Sequence, residues 1–309
     1  MYFNIKKKNL IIIILIVAII ILLIVLLSIY KNNIEKFEDK LNNSSKGKIA
    51  FLFLTYNNLK RPDIWNKYFE NVPESQYSIY LHAKEPEKVS DNILKGHQIA
   101  KHIETSWGSP SLVEANILMM EEALKDSDNK KFFIVSDSCC PIMSFADMYN
   151  MVMNDDKSIL GIHKYNPNPE RYDAIINPKF PKEQFIKHCG SGTMVNRKHA
   201  QLLVNSLDDF KNNWKNFHVP DEHYFGNALL SLDKDFKFNN NSYKLTFDTW
   251  QMDDLDKSFL NLEEEIKKDG YINLKSVSNK GIDAMRKAGF AFMRKVGQDC
   301  KVDSDYLLK

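Results

Sequence analysis

The 309-residue chain has no excess charge of either sign: 42 Lys and Arg stand against 40 Asp and Glu, a formal net of +2. Nucleic-acid binding normally shows a basic excess, so this balance gives it no support. Cysteine is scarce. Cys139, Cys140, Cys189 and Cys300 include no Cys-x-x-Cys and no spacing that suggests zinc. An even count suits disulfides in an oxidising compartment; a Cys139–Cys140 bridge is disfavoured, distant pairing is the better expectation, and the connectivity is open. No internal repeat is visible, and Gly190 and Gly192 lack a fuller phosphate-loop pattern. Asp-x-Asp pairs such as Asp126-Ser127-Asp128 and Asp303-Ser304-Asp305 fall before a predicted strand and in the C-terminal tail. Neither place suits Mn²⁺ or Mg²⁺, which need convergent oxygen ligands. Asp137 ends a predicted strand but has no second acid two residues away.

One stretch lacks charge altogether. Leu10 to Ile29 is an uninterrupted uncharged run, preceded by Lys6, Lys7 and Lys8. About 20 apolar residues cross a bilayer as a helix. A cleavable signal peptide is the rival reading, but its apolar core is usually ~7–15 residues with a small-residue cleavage site, and Leu27-Ser28-Ile29-Tyr30 is a poor one. The expectation is an uncleaved transmembrane anchor over 10–30 after a short cytosolic tail, 1–9. Lys31 to Lys40 mixes Lys with Glu and Asp, so the positive-inside rule predicts type II topology with the bulk of the chain in the lumen. Residues 31–47 read as a polar stem. Asn42, Asn43 and Asn240 each open an Asn-x-Ser triplet, a possible glycosylation acceptor in a lumenal protein.

Residues 48–309 are expected to form one lumenal domain. Lys48 to Thr55, Tyr77 to His82 and Lys131 to Val135 read as apolar strands, with Gln98 to Glu104 and Ile159 to Ile162 as further candidates. Helices are expected over Pro62 to Phe69, Ser111 to Leu124, Phe145 to Met153, Arg197 to Leu207 and Ser258 to Asp269. Ser111 and Glu114 have capping-box spacing. Leu245 to Trp250 reads as an edge strand and Ala288 to Val296 as a strand closed by Arg294 and Lys295. Strands alternating with helices predict an α/β domain with a mainly parallel sheet. In such sheets ligands sit at the carboxyl ends of strands, which brings Thr55, His82, Lys84, Asp137 and Ser138 to one edge. Tyr165 to Phe180 is irregular, a possible lid or acceptor-binding loop.

Val219-Pro220-Asp221-Glu222-His223-Tyr224 organises the rest. Two carboxylates follow a proline and precede an apolar run, a pattern favoured at a helix mouth. Alone, it reads first as a capped, solvated helix start and second as a general base facing a cleft.

Other segments shift that balance. Phe51 to Thr55, Tyr77 to His82, Ser106-Trp107-Gly108, Ser136 to Pro141, Gly190-Ser191-Gly192, Val219 to Tyr224 and Phe292-Met293-Arg294-Lys295 stand in one order. In that order the domain resembles the core-2/I-branching β-1,6-N-acetylglucosaminyltransferases, including plant-type members and the peptide xylosyltransferases. The plant-type members are nearest, through Ser-Trp-Gly, a Ser-Glu-Ser-Cys-x-Pro counterpart and Pro-Asp-Glu-His-Tyr.

The resemblance implies a GT-A-like fold and an inverting, metal-independent glycosyltransferase using a UDP-sugar. It places the catalytic base on Glu222. It places donor contacts on His82, Asp137, Arg294 and Lys295, the basic pair replacing a metal at the diphosphate. It places acceptor contacts on Arg171, Tyr172, Gly190, Ser191 and Asp221. The implied partners are a UDP-sugar, a glycan or glycoprotein acceptor and the lipid bilayer, and the implied location is the Golgi or secretory-pathway lumen (a host's, were the gene viral). N-acetylglucosamine is the first donor expected, xylose or glucuronic acid the second. A catalytically silent, membrane-tethered glycan-binding protein is the reading from another class. Two departures stand out: Gly192-Thr193-Met194 replaces a segment that is often aromatic, and Asp137 replaces the Glu of the plant pattern.

Overall fold

The computed structural model describes residues 21–28, 30–31, 46–162, 169–236, 245–248 and 274–309. The chain divides into two units, Met1–Lys46 and Gly47–Lys309. In the first, residues 21–28 are helical and Ile21 to Leu27 are exposed. Most of the expected anchor and stem lies outside the described residues, as do all three Asn-x-Ser asparagines and the segment from Ser258 to Asp269. Among the described residues no helix is long and apolar enough to cross a membrane.

The second unit is built on β1 (Lys48–Thr55), β2 (Tyr77–Ala83), β3 (Asn129–Ser136) and β5 (Met194–Asn196), hydrogen-bonded in the order β2-β1-β3-β5. The first three are parallel, and β5 runs antiparallel to β3. Ile49 to Phe53 are fully buried, because β1 is central and both faces are covered. Successive side chains point to opposite faces. Ala50, Leu52, Phe132 and Ile134 therefore pack with α2 (Ser111–Ala123), α4 (Arg197–Asn205) and α6 (Tyr224–Leu232). Phe51, Phe53, Phe133 and Val135 pack with α1 (Pro62–Phe69) and α3 (Phe145–Met153). Pro62 opens α1 without sacrificing a needed donor, and Trp65 then lies edge-on to Phe53 at 5.1 Å while its indole N–H donates to the Cys139 carbonyl at 3.0 Å. The Ser144 hydroxyl caps α3 by accepting from the Asp147 N–H at 3.2 Å.

A second sheet, ordered β4-β8-β6, joins β4 (Cys140–Pro141), β8 (Phe292–Arg294) and β6 (Thr246–Asp248). With α7 (Asn279–Lys287) and α8 (Ser304–Leu307) it encloses a third apolar cluster around Phe247, Ile282, Met293 and Leu307. A short α5 (Leu207–Asn213) follows α4, and β7 (Leu274–Ser276) pairs in parallel with β9 (Val296–Lys301).

Several expectations change. Gln98 to Glu104 is not a strand: only Gln98 bridges, to Leu81, after which His102 donates its ring N–H to the Ala83 carbonyl at 2.8 Å. Ile159 and Ile162 likewise form isolated bridges, to Met194 and His188. The Ser111–Glu114 capping box does not form. Ser111 accepts the Ser106 N–H at 3.1 Å, and Glu114 pairs with Lys211. The expected strand from Ala288 to Val296 is interrupted: Gly289 turns the chain at φ 93° after α7, and β8 and β9 are separate. All four cysteines are buried free thiols. Asp126 pairs with Lys48 at 3.0 Å, and Asp303 caps α8 by accepting from Asp305 and Tyr306, so both Asp-x-Asp pairs serve local structure.

Candidate active site

Parallel pairing aligns the ends of β1, β2 and β3: Thr55 faces Ala83 across one ladder, and Leu54 faces Ser136 across the other. The loops leaving these ends cannot continue the ladder, so they carry polar residues to the sheet edge. Thr55, Tyr56, Lys84, Ser136, Asp137 and Ser138 line a cavity of about 650 Å³ there. A smaller cavity of about 190 Å³ lies beside Trp214 and Tyr224; its one carboxylate, Asp209, is paired with Lys179 at 2.6 Å.

The carboxylate pair enters the large cavity from another direction. Pro220–Glu222 forms one 3-10 turn immediately before α6, so the acids precede the helix instead of occupying its first turn. Val219 introduces the turn at φ 58° and ψ 51°, a left-handed conformation unfavourable for a β-branched residue. It is held there by its N–H, which donates to the Gly108 carbonyl at 2.8 Å. The Glu222 carbonyl accepts the His188 N–H at 2.8 Å. Lys187 Nζ lies 3.1 Å from Glu222 Oε2. Burial, then the adjacent Glu222 charge, pushes Asp221 up to about 6, against the pull of Arg294 and Lys295. A Cβ on Gly190 would stand 2.9 Å from Asp221 Oδ2, so glycine is what lets these segments meet.

The basic pair arrives with β8. Cys140 pairs with Met293, and the Val296 N–H donates to the Ser138 carbonyl at 2.8 Å, which joins the basic pair to the Asp137 loop. Arg294 lies 3.3 Å from Asp248 Oδ2 and leaves a buried Nε without a partner. Burial opposes its charge, yet Asp248 and neighbouring acidic groups hold it above its ordinary value. Burial, then the Arg294 charge, lowers Lys295 to about 8. Burial raises Asp137, against Lys60, the Tyr56 N–H, Arg294 and Lys295.

Of the residues singled out in the sequence, Glu222, Asp221, Asp137, Arg294, Lys295, Arg171, Gly190 and Ser191 line this one cavity. His82 and Tyr172 do not. His82 is fully buried, stacked on His102 at 4.7 Å and lowered to about 4 by burial and that neighbour. It stands one residue before the end of β2, and its side chain turns into the domain. Tyr172 packs edge-on to Phe180 and Phe185 at 5.7 Å and donates its hydroxyl to the Phe180 carbonyl. Tyr56, Trp107, Lys187 and His218 also line the cavity and were not singled out as site residues. Tyr56 was legible as the first aromatic residue beyond β1 and Trp107 through its Ser-Trp-Gly motif; Lys187 and His218 have no local signal.

The arrangement holds a carboxylate beside a lysine, a basic pair and a set of polar loop ends. That suits deprotonation of a hydroxyl next to a departing anion. A relative, the Glycosyltransferase BC10 of Oryza sativa subsp. japonica, is 26% identical over 212 residues, covering 59% of this chain and 53% of the relative. The chain therefore spans about half the length of that relative. A model of the Core-2/I-Branching enzyme family matches residues 49–285, a stretch that includes Glu222 and stops before Arg294 and Lys295. Matched from the central strand through the Pro-Asp-Glu turn and into α7, the chain belongs to the Core-2/I-Branching enzyme family.

Proposed function

We propose that the protein is an inverting glycosyltransferase that moves a sugar from a UDP-sugar to a glycan hydroxyl. The observation that carries this reading is the meeting of Glu222 with Arg294 and Lys295 in one cavity at the carboxyl ends of parallel strands. Glu222 takes the acceptor hydroxyl proton as that oxygen attacks the anomeric carbon. The bond from the anomeric carbon to the diphosphate oxygen breaks on the opposite face, and UDP carries away the electron pair. Arg294 and Lys295 stabilise the negative charge that develops on the diphosphate, the role a metal would otherwise take. Tyr56, Lys84 and Asp137 form the end that receives the nucleoside. Lys84 lies over the Tyr56 ring at 5.2 Å, and Tyr56 and Asp137 line the same cavity.

N-acetylglucosamine is the first donor proposed, with xylose or glucuronic acid second. The uncharged run from Leu10 to Ile29 supports a type II anchor, with the domain in the Golgi or secretory-pathway lumen. Release of UDP from a panel of UDP-sugars, with simple glycosides present and with or without EDTA, tests the reading. EDTA-resistant turnover with one donor supports it. EDTA-sensitive turnover removes the metal-free mechanism. Absence of UDP binding to the folded chain leaves a silent glycan-binding protein.

A further inference from the structure

Trp107 has 67% of its surface exposed, more than the other large apolar side chains described in the second unit, and it lies on the lining of the catalytic cavity. An indole is among the side chains with most to gain from burial, so a rigid exposed one beside a reaction cleft points to a ligand that covers it. Its loop is built for rigidity. Gly108 adopts φ 71°, and a Cβ there would stand 2.8 Å from His218 Cε1, so glycine allows the loop to close on that ring. His218 then lies edge-on to the indole at 5.7 Å and 71°. Ser109 N–H donates to the Ser106 carbonyl at 3.2 Å, and Ser106 N–H donates to the Ser111 hydroxyl at 3.1 Å.

The indole is also mounted on the segment that carries the base. The Gly108 carbonyl accepts the Val219 N–H, one residue before the Pro-Asp-Glu turn, and His218 precedes Val219. The groups suited to the donor hang elsewhere, on the β1 end and on the β8 and Asp137 loops. A general base must lie within hydrogen-bond reach of the acceptor hydroxyl. The acceptor ring therefore passes the Glu222 turn, where Trp107 presents a flat apolar surface.

We propose that Trp107, backed by His218, is the stacking platform for a pyranose ring of the acceptor glycan and so sets which acceptors are used. This rests on the transferase reading above.

The test uses the full chain in mild detergent, with UDP affinity measured by calorimetry. Ligand-observed NMR in the presence of UDP then probes p-nitrophenyl β-glycosides of galactose, N-acetylglucosamine and xylose. Glu222→Gln serves as the inactive background, so binding is read without turnover. At least one glycoside is expected to bind. Trp107→Ala should weaken it about tenfold or more, the scale of a buried aromatic anchor. Trp107→Phe should recover most of that loss, and UDP affinity should stay within about twofold. Trp107 is exposed, so neither change should unfold the chain, and the UDP titration reports on folding. Unchanged glycoside binding in Trp107→Ala overturns the inference. So does an equal loss of UDP affinity, which would assign the indole to the donor, and so does UDP binding without binding of any of these glycosides. Failure of the parent chain to bind UDP overturns the transferase reading, and this inference with it.

Discussion

Lys187 Nζ stands 3.1 Å from Glu222 Oε2, and the His188 N–H next in sequence donates to the Glu222 carbonyl. One segment thus holds Glu222 at its carboxylate through Lys187 and at its main chain through His188. In the proposed mechanism, a base so held is oriented before an acceptor arrives, which lowers the entropic part of the barrier.

Replacing Glu222 by Gln would remove the proposed base while preserving shape. The transfer rate should fall by about 10²–10⁴-fold, the usual contribution of a general base, with UDP affinity unchanged. Lys187→Met should leave the base in place but less well oriented, with a smaller fall in kcat of about tenfold. Steady-state kinetics with calorimetric UDP titration checks both. Full transfer by Glu222→Gln would remove it from the mechanism.

If Lys295 holds the diphosphate as proposed, nucleotide binding should depend on pH. The Lys295 pKa is lowered to about 8 in the folded protein, so the side chain is charged below that pH and neutral above it. UDP affinity should therefore weaken as pH rises from 7 to 9.5, a range in which an ordinary lysine stays charged. Lys295→Arg should flatten the profile, because guanidinium keeps its proton. A parent profile flat over this range would show that the Lys295 charge does not hold the nucleotide.

Asp221 should impose a pH signature of its own, on stability. Its folded pKa, raised to about 6, lies above the ordinary carboxylate value of 3.8, so the folded state binds more protons between those values. Its contribution is most favourable below the lower value and is lost as pH rises through the upper one. Asp221→Asn should raise Tm at pH 7.5 relative to the parent and give a smaller gain at pH 4.5. Differential scanning calorimetry at both values decides it; an equal shift at the two would exclude titration as the cause.

Gly190→Ala would force a methyl against the Asp221 carboxylate and its backbone carbonyl, at 2.9 and 3.1 Å. The backbone contact gives way only if the Pro-Asp-Glu turn moves. Overpacking of this kind costs about 1–3 kcal/mol, and the displaced Glu222 should lower kcat more than UDP affinity. Denaturant melts and steady-state kinetics would separate the two effects; unchanged values in both would show that the turn is compliant.

The periodicity of the sequence determined the scaffold. Lys48–Thr55, Pro62–Phe69 and Phe145–Met153 fall at the expected bounds, because an unbroken apolar run, a proline at a helix start and a serine cap are local signals. The ordered motifs brought out Glu222, Asp137, Arg294 and Lys295, since each sits in or beside a short segment of unusual composition. What only the tertiary structure decided depends on side-chain direction and on contacts between distant residues. His82 stands one residue before the end of β2 yet turns inward, where it stacks on His102. Gln98 to Glu104 is apolar enough in part for a strand, but His102 engages Ala83 and the ladder stops at Gln98. Lys187 reaches Glu222 across 35 residues of chain, and the exposure of Trp107 follows from how its loop closes on His218. A local pattern records which residues prefer a strand or a helix; it does not record which neighbour arrives from elsewhere to hold them.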